Sequence, residues 1–229
     1  MAKTFFVTGT DTDVGKTVVS AALLVAANKR GLTTLAMKPI AAGCERTEAG
    51  LRNSDALLLQ HHMSVDLPYE QINPVVLEAA AAPHIVAANE GKRLSASRLV
   101  GICRGTLMTK HDFSIIEGAG GWRVPLNTRE TLAALPRELN NHVILVVAIK
   151  LGCINHALLT AEAIRRDGLV LAGWVANRVS EEPMGYEEEN ISTLNSMMQA
   201  PCLGMLPYSS PLDIDELSEF IFLDPLMRE

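Results

Sequence analysis

The sequence predicts an α/β fold, a doubly wound, mostly parallel sheet flanked by helices. Three observations carry this expectation. Short apolar runs alternate with helical patterns almost to the end of the chain, as parallel strands joined by helical crossovers require. The apolar mass is mostly Ala, Leu, Val and Ile, and aromatic residues make up only 4%, which suits strands buried on both faces better than an antiparallel sandwich. The clearest strand, residues 143–149, is a continuous apolar run rather than an alternating one.

In chain order, residues 3–8 form a short apolar strand, and residues 14–28 a helix closed by Gly31. Residues 33–37 are a second strand, halted by Pro39. Residues 95–109 pattern as a helix, and 113–116 as a strand ending in Glu117-Gly118. The strand at 143–149 leads to a helix around 155–166, then a strand at 170–176, a polar helix at 187–198 and a strand at 202–206. The acidic stretch 181–189 reads as a solvated loop entering a helix. One small helix is expected after Pro211. Right-handed crossovers gather the strand carboxyl ends on one edge, where ligands bind.

The bulk properties narrow the function. With 229 residues and 48% hydrophobic against 20% charged, the chain can bury a sizeable core, and a single domain over residues 1–229 is expected. A net charge of −6 without a basic patch argues against nucleic acid as a partner. Residues 1–4 carry no apolar leader, and no run approaches the ~18 residues of a membrane span. Cys44, Cys103, Cys153 and Cys202 are far apart with no CxxC pair, so neither a disulfide framework nor a zinc site follows. A cytoplasmic protein with no membrane partner is the expectation.

The strongest motif is Gly9-Thr10-Asp11-Thr12-Asp13-Val14-Gly15-Lys16-Thr17, placed after the first strand and opening the first helix. Small and turn-forming residues there let backbone N–H groups face phosphate oxygens, and the helix N-terminus adds roughly half a positive charge. Lys16 can reach the outer phosphates, and the Thr17 hydroxyl can ligate Mg²⁺. This is a P-loop NTPase pattern with an offset: Gly9 comes one residue too early for GxxxxGKT, and Thr10 stands where the first glycine belongs. A plain capped strand–turn–helix is the alternative, and Gly15-Lys16-Thr17 argues against it.

Other residues are ambiguous when taken singly. Lys38 could be a snorkelling surface lysine, and Asp55 an exposed acid near a helix start. Glu117 closes a buried strand and so needs a partner. Gly118-Ala119-Gly120-Gly121 offers either open backbone amides or a bare tight turn. Asn177 ends a strand, where a plain cap is the simple reading.

Taken together the pieces are specific. GTDTDVGKT, Met37-Lys38-Pro39, Gly50-Leu51-Arg52-Asn53-Ser54-Asp55-Ala56, Glu117-Gly118-Ala119-Gly120-Gly121-Trp122, Lys150-Leu151-Gly152-Cys153-Ile154-Asn155-His156 and Gly173-Trp174-Val175-Ala176-Asn177 occur in the order and spacing of the dethiobiotin synthetase family. The chain resembles that family over roughly residues 3 to 208.

The resemblance implies an ATP- and Mg²⁺-dependent cyclo-ligase of biotin biosynthesis. CO₂ adds to one amine of 7,8-diaminononanoate, ATP phosphorylates the carbamate, and the second amine closes the cyclic urea with loss of phosphate. It implies Lys16 and Lys38 as catalytic residues, and Thr17, Asp55 and Glu117 as metal ligands. ATP is to be held by Asp13, Val14, Gly15, Lys16, Thr17 and Val18, by Asp55, Glu117, Gly118, Ala119 and Gly120, and by Asn177, Arg178, Pro207, Tyr208 and Ser209 near the base. The diamine is to meet Thr12, Ala42, Gly120 and Gly121. Gly152, Cys153, Ile154 and Asn155 come from the second subunit of a homodimer with shared sites.

The chain departs from the family pattern at Asp13, where Glu is frequent, and at Ala42, where well-known members have Ser. The alternatives are a paralogue with a changed or lost diamine substrate and a P-loop switch ATPase of the partitioning type. The latter carries a signature lysine five residues before the catalytic one, and here that position is Asp11.

Overall fold

The computed structural model describes residues 2–228. The chain runs through β1 (Lys3–Gly9), α1 (Lys16–Lys29) and β2 (Thr34–Met37), then the short β3 (Ile40–Ala41), β4 (Glu45–Thr47) and β5 (Gly50–Arg52). Next come α2 (Ser54–His62), α3 (Tyr69–Ile72), β6 (Val75–Val76), α4 (Pro83–Asn89) and α5 (Ala96–Leu107). The second half holds β7 (Phe113–Glu117), α6 (Ala134–Leu139), β8 (His142–Ala148), α7 (Cys153–Arg166) and β9 (Leu171–Asn177). It closes with α8 (Glu187–Met197), β10 (Cys202–Leu206), α9 (Ile214–Ser218) and α10 (Asp224–Met227).

Six strands form one sheet in the order β10-β9-β8-β1-β7-β2, and every pairing in it is parallel. The expected doubly wound sheet is therefore present. The chain leaves β1 for β2, returns to β7 at its flank, and then crosses to β8 on the other side. Reversal of direction at β1 opens a crevice at its carboxyl end.

The strands formed where apolar runs predict them because the runs are buried on both faces. Six of the seven β8 residues and all five of β7 are inside. Phe5 and Phe113 meet at 5.4 Å between ring centroids, and Phe6 packs edge-on against Trp122.

Helix α1 is buried nearly all round, since KTVVSAALLVAANK has no polar face. Helix α2 covers one side of it and α9 another. Lys29 in its last turn donates to Ser218 Oγ at 2.9 Å, and Arg30 pairs with Asp224 at 2.7 Å. The tail thus holds two small helices rather than the one expected, and their place follows from the apolar helix they cover. Residues 40–94 carry short elements that periodicity does not reveal, because a strand of two or three residues has no period to show. No helix among the described residues is long and apolar enough to cross a membrane.

Candidate active site

The phosphate loop hangs between β1 and α1. Asp13 and Gly15 adopt left-handed backbone conformations, with φ 57° and 87°. Gly15 must be glycine for a second reason: a Cβ there would collide with the Asn177 amide. Gly9 is explained by packing too, because a Cβ on it would strike Val14 Cγ2. The offset glycine is therefore a close-approach position. The Lys16 ammonium folds over the loop and donates to the Asp11 carbonyl at 2.9 Å. Burial holds its pKa below the ordinary lysine value, with Glu117 only partly offsetting that effect.

At the floor of the crevice four charged or polar side chains converge. The Thr17 hydroxyl donates to Glu117 Oε1 at 2.8 Å. Lys38 Nζ lies 2.6 Å from the same oxygen and 2.9 Å from Asp55 Oδ2. Lys38 is 5% exposed and Glu117 is fully buried, so the surface reading of Lys38 is wrong. Its stem follows β2 inward, and its charge is met by two carboxylates. Burial alone would lower the Lys38 pKa, but Glu117 and then Asp55 outweigh it and hold the ammonium above its ordinary value.

The donor set fits a divalent cation. Glu117 Oε2 is buried with no hydrogen-bond partner, an arrangement that costs free energy unless a ligand completes it. Two carboxylates and one hydroxyl are hard oxygen donors, and Mg²⁺ takes few protein ligands while keeping waters and phosphate oxygens. No cluster of three His, Cys, Asp or Glu that could hold a metal occurs among the described residues.

Above this floor lies a cleft of about 740 Å³. It brings together Thr12, Asp13, Gly15, Lys16, Thr17 and Val18 from the loop, Lys38 and Ala42, Asp55, and Ala119 and Gly120. Ala80, Ala81, Ala82 and Pro83 also line it, and motif reading missed them. Gly121 packs on the phosphate loop, where a Cβ would sit 3.6 Å from the Gly9 carbonyl oxygen.

Gly118 corrects the expectation of open amides. Its N–H donates to the Val7 carbonyl at 2.9 Å and continues the sheet, so it is not available to phosphate.

Asn177, Arg178, Pro207, Tyr208 and Ser209 stand at the carboxyl ends of β9 and β10, outside the cleft lining. The Asn177 amide donates to the Val14 carbonyl at 2.9 Å, bracing the loop. The Arg178 guanidinium pairs with Glu187, a buried member of the acidic stretch. Tyr208 is exposed, and Ser209 Oγ donates to the Pro211 carbonyl at 2.9 Å.

Gly152, Cys153, Ile154 and Asn155 open α7 and do not line the cleft of their own chain. The Cys153 N–H is also taken, by the Lys150 carbonyl at 2.9 Å, which leaves fewer free donors in that first turn than expected.

A second groove, about 780 Å³, opens beside Lys3, Asn141 and His142 at the amino edge of the sheet. It is away from the switch point and from the charged cluster, so the carboxyl-edge cleft is the better candidate.

A family profile described as an AAA domain matches residues 3–215. The chain is 56% identical to the ATP-dependent dethiobiotin synthetase BioD of Marinobacter nauticus, over 100% of both chains. It is 58% identical to the protein of that name from Cellvibrio japonicus, over 98% of each. Identity to that of Vibrio parahaemolyticus is 45%, over 100% of this chain and 99% of the relative. Among solved structures, the septum site-determining protein MinD with Mg-ADP from Pyrococcus horikoshii has a TM-score of 0.59 at 19% identity, covering 99% of this chain and 89% of that one. Chloroplast FtsY from Physcomitrella patens has a TM-score of 0.53 at 18% identity, covering 100% and 66%. These two likenesses bear on the fold alone.

Proposed function

The chain belongs to the ATP-dependent dethiobiotin synthetase family, and we propose that it closes the ureido ring in the cleft between the phosphate loop and the Lys38 segment. The observation that supports these residue roles best is the Lys38 ammonium held on Glu117 and Asp55, beside Thr17. Phosphoryl transfer asks a protein mainly for positioning and for charge where charge develops.

In this reading Lys16 exchanges the Asp11 carbonyl for the outer phosphates of ATP. Thr17, Asp55 and Glu117 hold Mg²⁺, which when bound neutralises phosphate charge. Lys38 then turns from its two carboxylates toward the carbamate, formed when CO₂ joins one amine of 7,8-diaminononanoate. The carbamate oxygen takes the γ-phosphoryl group, and ADP leaves. The second amine attacks the carbamoyl carbon, expelling phosphate and losing a proton as the ring closes. Thr12, Ala42, Gly120 and Gly121 border the diamine. Asn177 and the 207–209 segment border the base. Four free thiols accord with a cytoplasmic setting.

The decisive assay supplies diamine, bicarbonate, ATP and Mg²⁺ and follows both ADP and the cyclic urea. Stoichiometric product dependent on diamine is expected. ADP release indifferent to diamine would overturn the reading in favour of a switch ATPase.

A shared site in a homodimer completes the proposal. The α7 N-terminus does not line its own cleft, and Leu151 and Leu159 are 91% and 57% exposed. A helix N-terminus suits a carboxylate tail, and a two-fold pair lets each chain serve the other. Chains carrying Lys16→Ala and Gly152→Glu, each inactive alone, should complement when refolded together. One site of a mixed dimer collects both lesions and the other neither. Random pairing makes about half the dimers mixed, so roughly a quarter of all sites should work. Mixed dimers without activity would mean that each chain holds its own complete site.

A further inference from the structure

Lys38 and Asp55 reach the site from different elements, one from the end of β2 and the other from the first turn of α2. A buried chain of hydrogen bonds joins the two. The Lys38 N–H donates to the Ile72 carbonyl at 2.8 Å. The Lys38 carbonyl accepts from Asn73 Nδ2 at 2.7 Å. The Tyr69 hydroxyl donates to Asn73 Oδ1 at 2.9 Å, and its oxygen accepts the Asn53 N–H at 2.8 Å. Asn53 caps α2, with Oδ1 accepting from the Ala56 N–H at 3.2 Å. Asp55 lies two residues after that cap.

The three linking residues are shut away from water: Asn53 and Tyr69 are each 6% exposed and Asn73 is 2% exposed. The Arg52 guanidinium stacks 4.2 Å from the centre of the tyrosine ring, pinning it from outside. A hydroxyl is the group this junction needs, because one oxygen must accept and donate at once.

We infer that Tyr69 is a positioning residue for the reaction, fixing the segment that carries Lys38 relative to the one that carries Asp55 through Asn73 and the Asn53 cap. This rests on the proposed roles of Lys38 and Asp55 in phosphoryl transfer. The hydroxyl touches neither side chain. It fixes the backbone from which each departs, so a shift at Tyr69 moves one relative to the other. Groups that orient an ion-binding shell commonly change affinity or rate by about 10- to 100-fold when removed.

The test is Tyr69→Phe, which leaves the Asn53 N–H and Asn73 Oδ1 without their shared partner. Turnover is expected to fall about tenfold or more, and Mn²⁺ affinity of the nucleotide-bound protein, read by electron paramagnetic resonance, by a similar factor. Ser114→Ala serves as the stability control. It removes a sheet hydroxyl bond to Thr4 (2.8 Å) away from the cleft, and it should lower the melting temperature without lowering turnover.

A double-mutant cycle separates positioning from general loosening. In a Lys38→Gln background, Tyr69→Phe should cost less than about twofold more in turnover, because the group it positions is already gone. Wild-type turnover and Mn²⁺ affinity in Tyr69→Phe, or a full additional loss on top of Lys38→Gln, would overturn the inference. If Tyr69→Phe does not fold, Asn73→Ala breaks the same chain one bond further on and is judged by the same outcomes. Impaired Lys38→Gln and Asp55→Asn beside an unimpaired Tyr69→Phe removes this inference alone. Unimpaired Lys38→Gln and Asp55→Asn removes the site reading on which it rests.

Discussion

Lys38→Gln is expected to lower ring-closing turnover by about two to three orders of magnitude, with the fold retained. Glutamine is one bond shorter and keeps a pair of donors, but it removes the charge. In the ligand-free enzyme that charge sits 2.6 Å from Glu117 and 2.9 Å from Asp55, and the two carboxylates outweigh burial to keep it protonated. A cation already held in the site offsets negative charge as it moves onto the carbamate and phosphoryl oxygens.

The same geometry makes a second, opposite expectation. Lys38 holds the oxygens a divalent cation would take, so the two compete for Glu117 and Asp55. Without nucleotide, Lys38→Gln should bind Mn²⁺ more tightly than wild type while turning over far more slowly. Equilibrium binding and single-turnover measurements on one preparation read both effects. Near-normal turnover would retire Lys38 as a catalytic residue, and weakened Mn²⁺ binding would retire the competition.

This arrangement was only half legible in the sequence. Gly15-Lys16-Thr17 after an apolar strand announces a phosphate loop because its chemistry is local: backbone amides, a helix start and a short reach. The strand β8, His142–Ala148, is equally plain, since a strand buried on both faces must be apolar throughout. The pairing of Lys38 with Asp55 and Glu117 depends on the order of strands in the sheet, which no local pattern encodes. Tyr69 and Asn73 are less visible still. Their partners are backbone groups in other segments, and α3, which begins at Tyr69, has only four residues. Asn53-Ser54-Asp55 did carry a readable capping pattern, and it would have marked α2. Gly118 misled because glycine signals backbone freedom without saying what the amide binds; a Cβ there would lie 3.0 Å from the Phe6 ring, so packing accounts for it.

Glu117→Gln should be nearly as severe as the loss of Lys38, for a different physical reason. Glu117 is fully buried and gathers the Thr17 hydroxyl and the Lys38 ammonium on one oxygen, while its other oxygen has no partner. The amide preserves shape and one acceptor. It halves the carboxylate charge available to a divalent cation at the floor and turns an N–H₂ toward Lys38 or the metal position. Turnover at ordinary Mg²⁺ should fall by about a hundredfold and recover in part with excess Mg²⁺. Asp55→Asn should be milder, because the Asp55 side chain is 43% exposed and water can replace its charge.

A pH profile gives Glu117 a signature of its own. In the ligand-free wild type, Glu117 and Asp55 raise the Lys38 pKa against burial. Without the larger of those charges, burial is less fully offset and the ammonium loses its proton at lower pH than in the wild type. The Lys38 titration in the ligand-free protein, followed by nitrogen-15 lysine NMR, should therefore move to lower pH in Glu117→Gln and stay in place in a variant lacking only the Thr17 hydroxyl. Thermal denaturation across the same range checks that unfolding is not the cause. A Lys38 titration that does not move, together with wild-type Mg²⁺ dependence of turnover, would separate Glu117 from both the metal and Lys38.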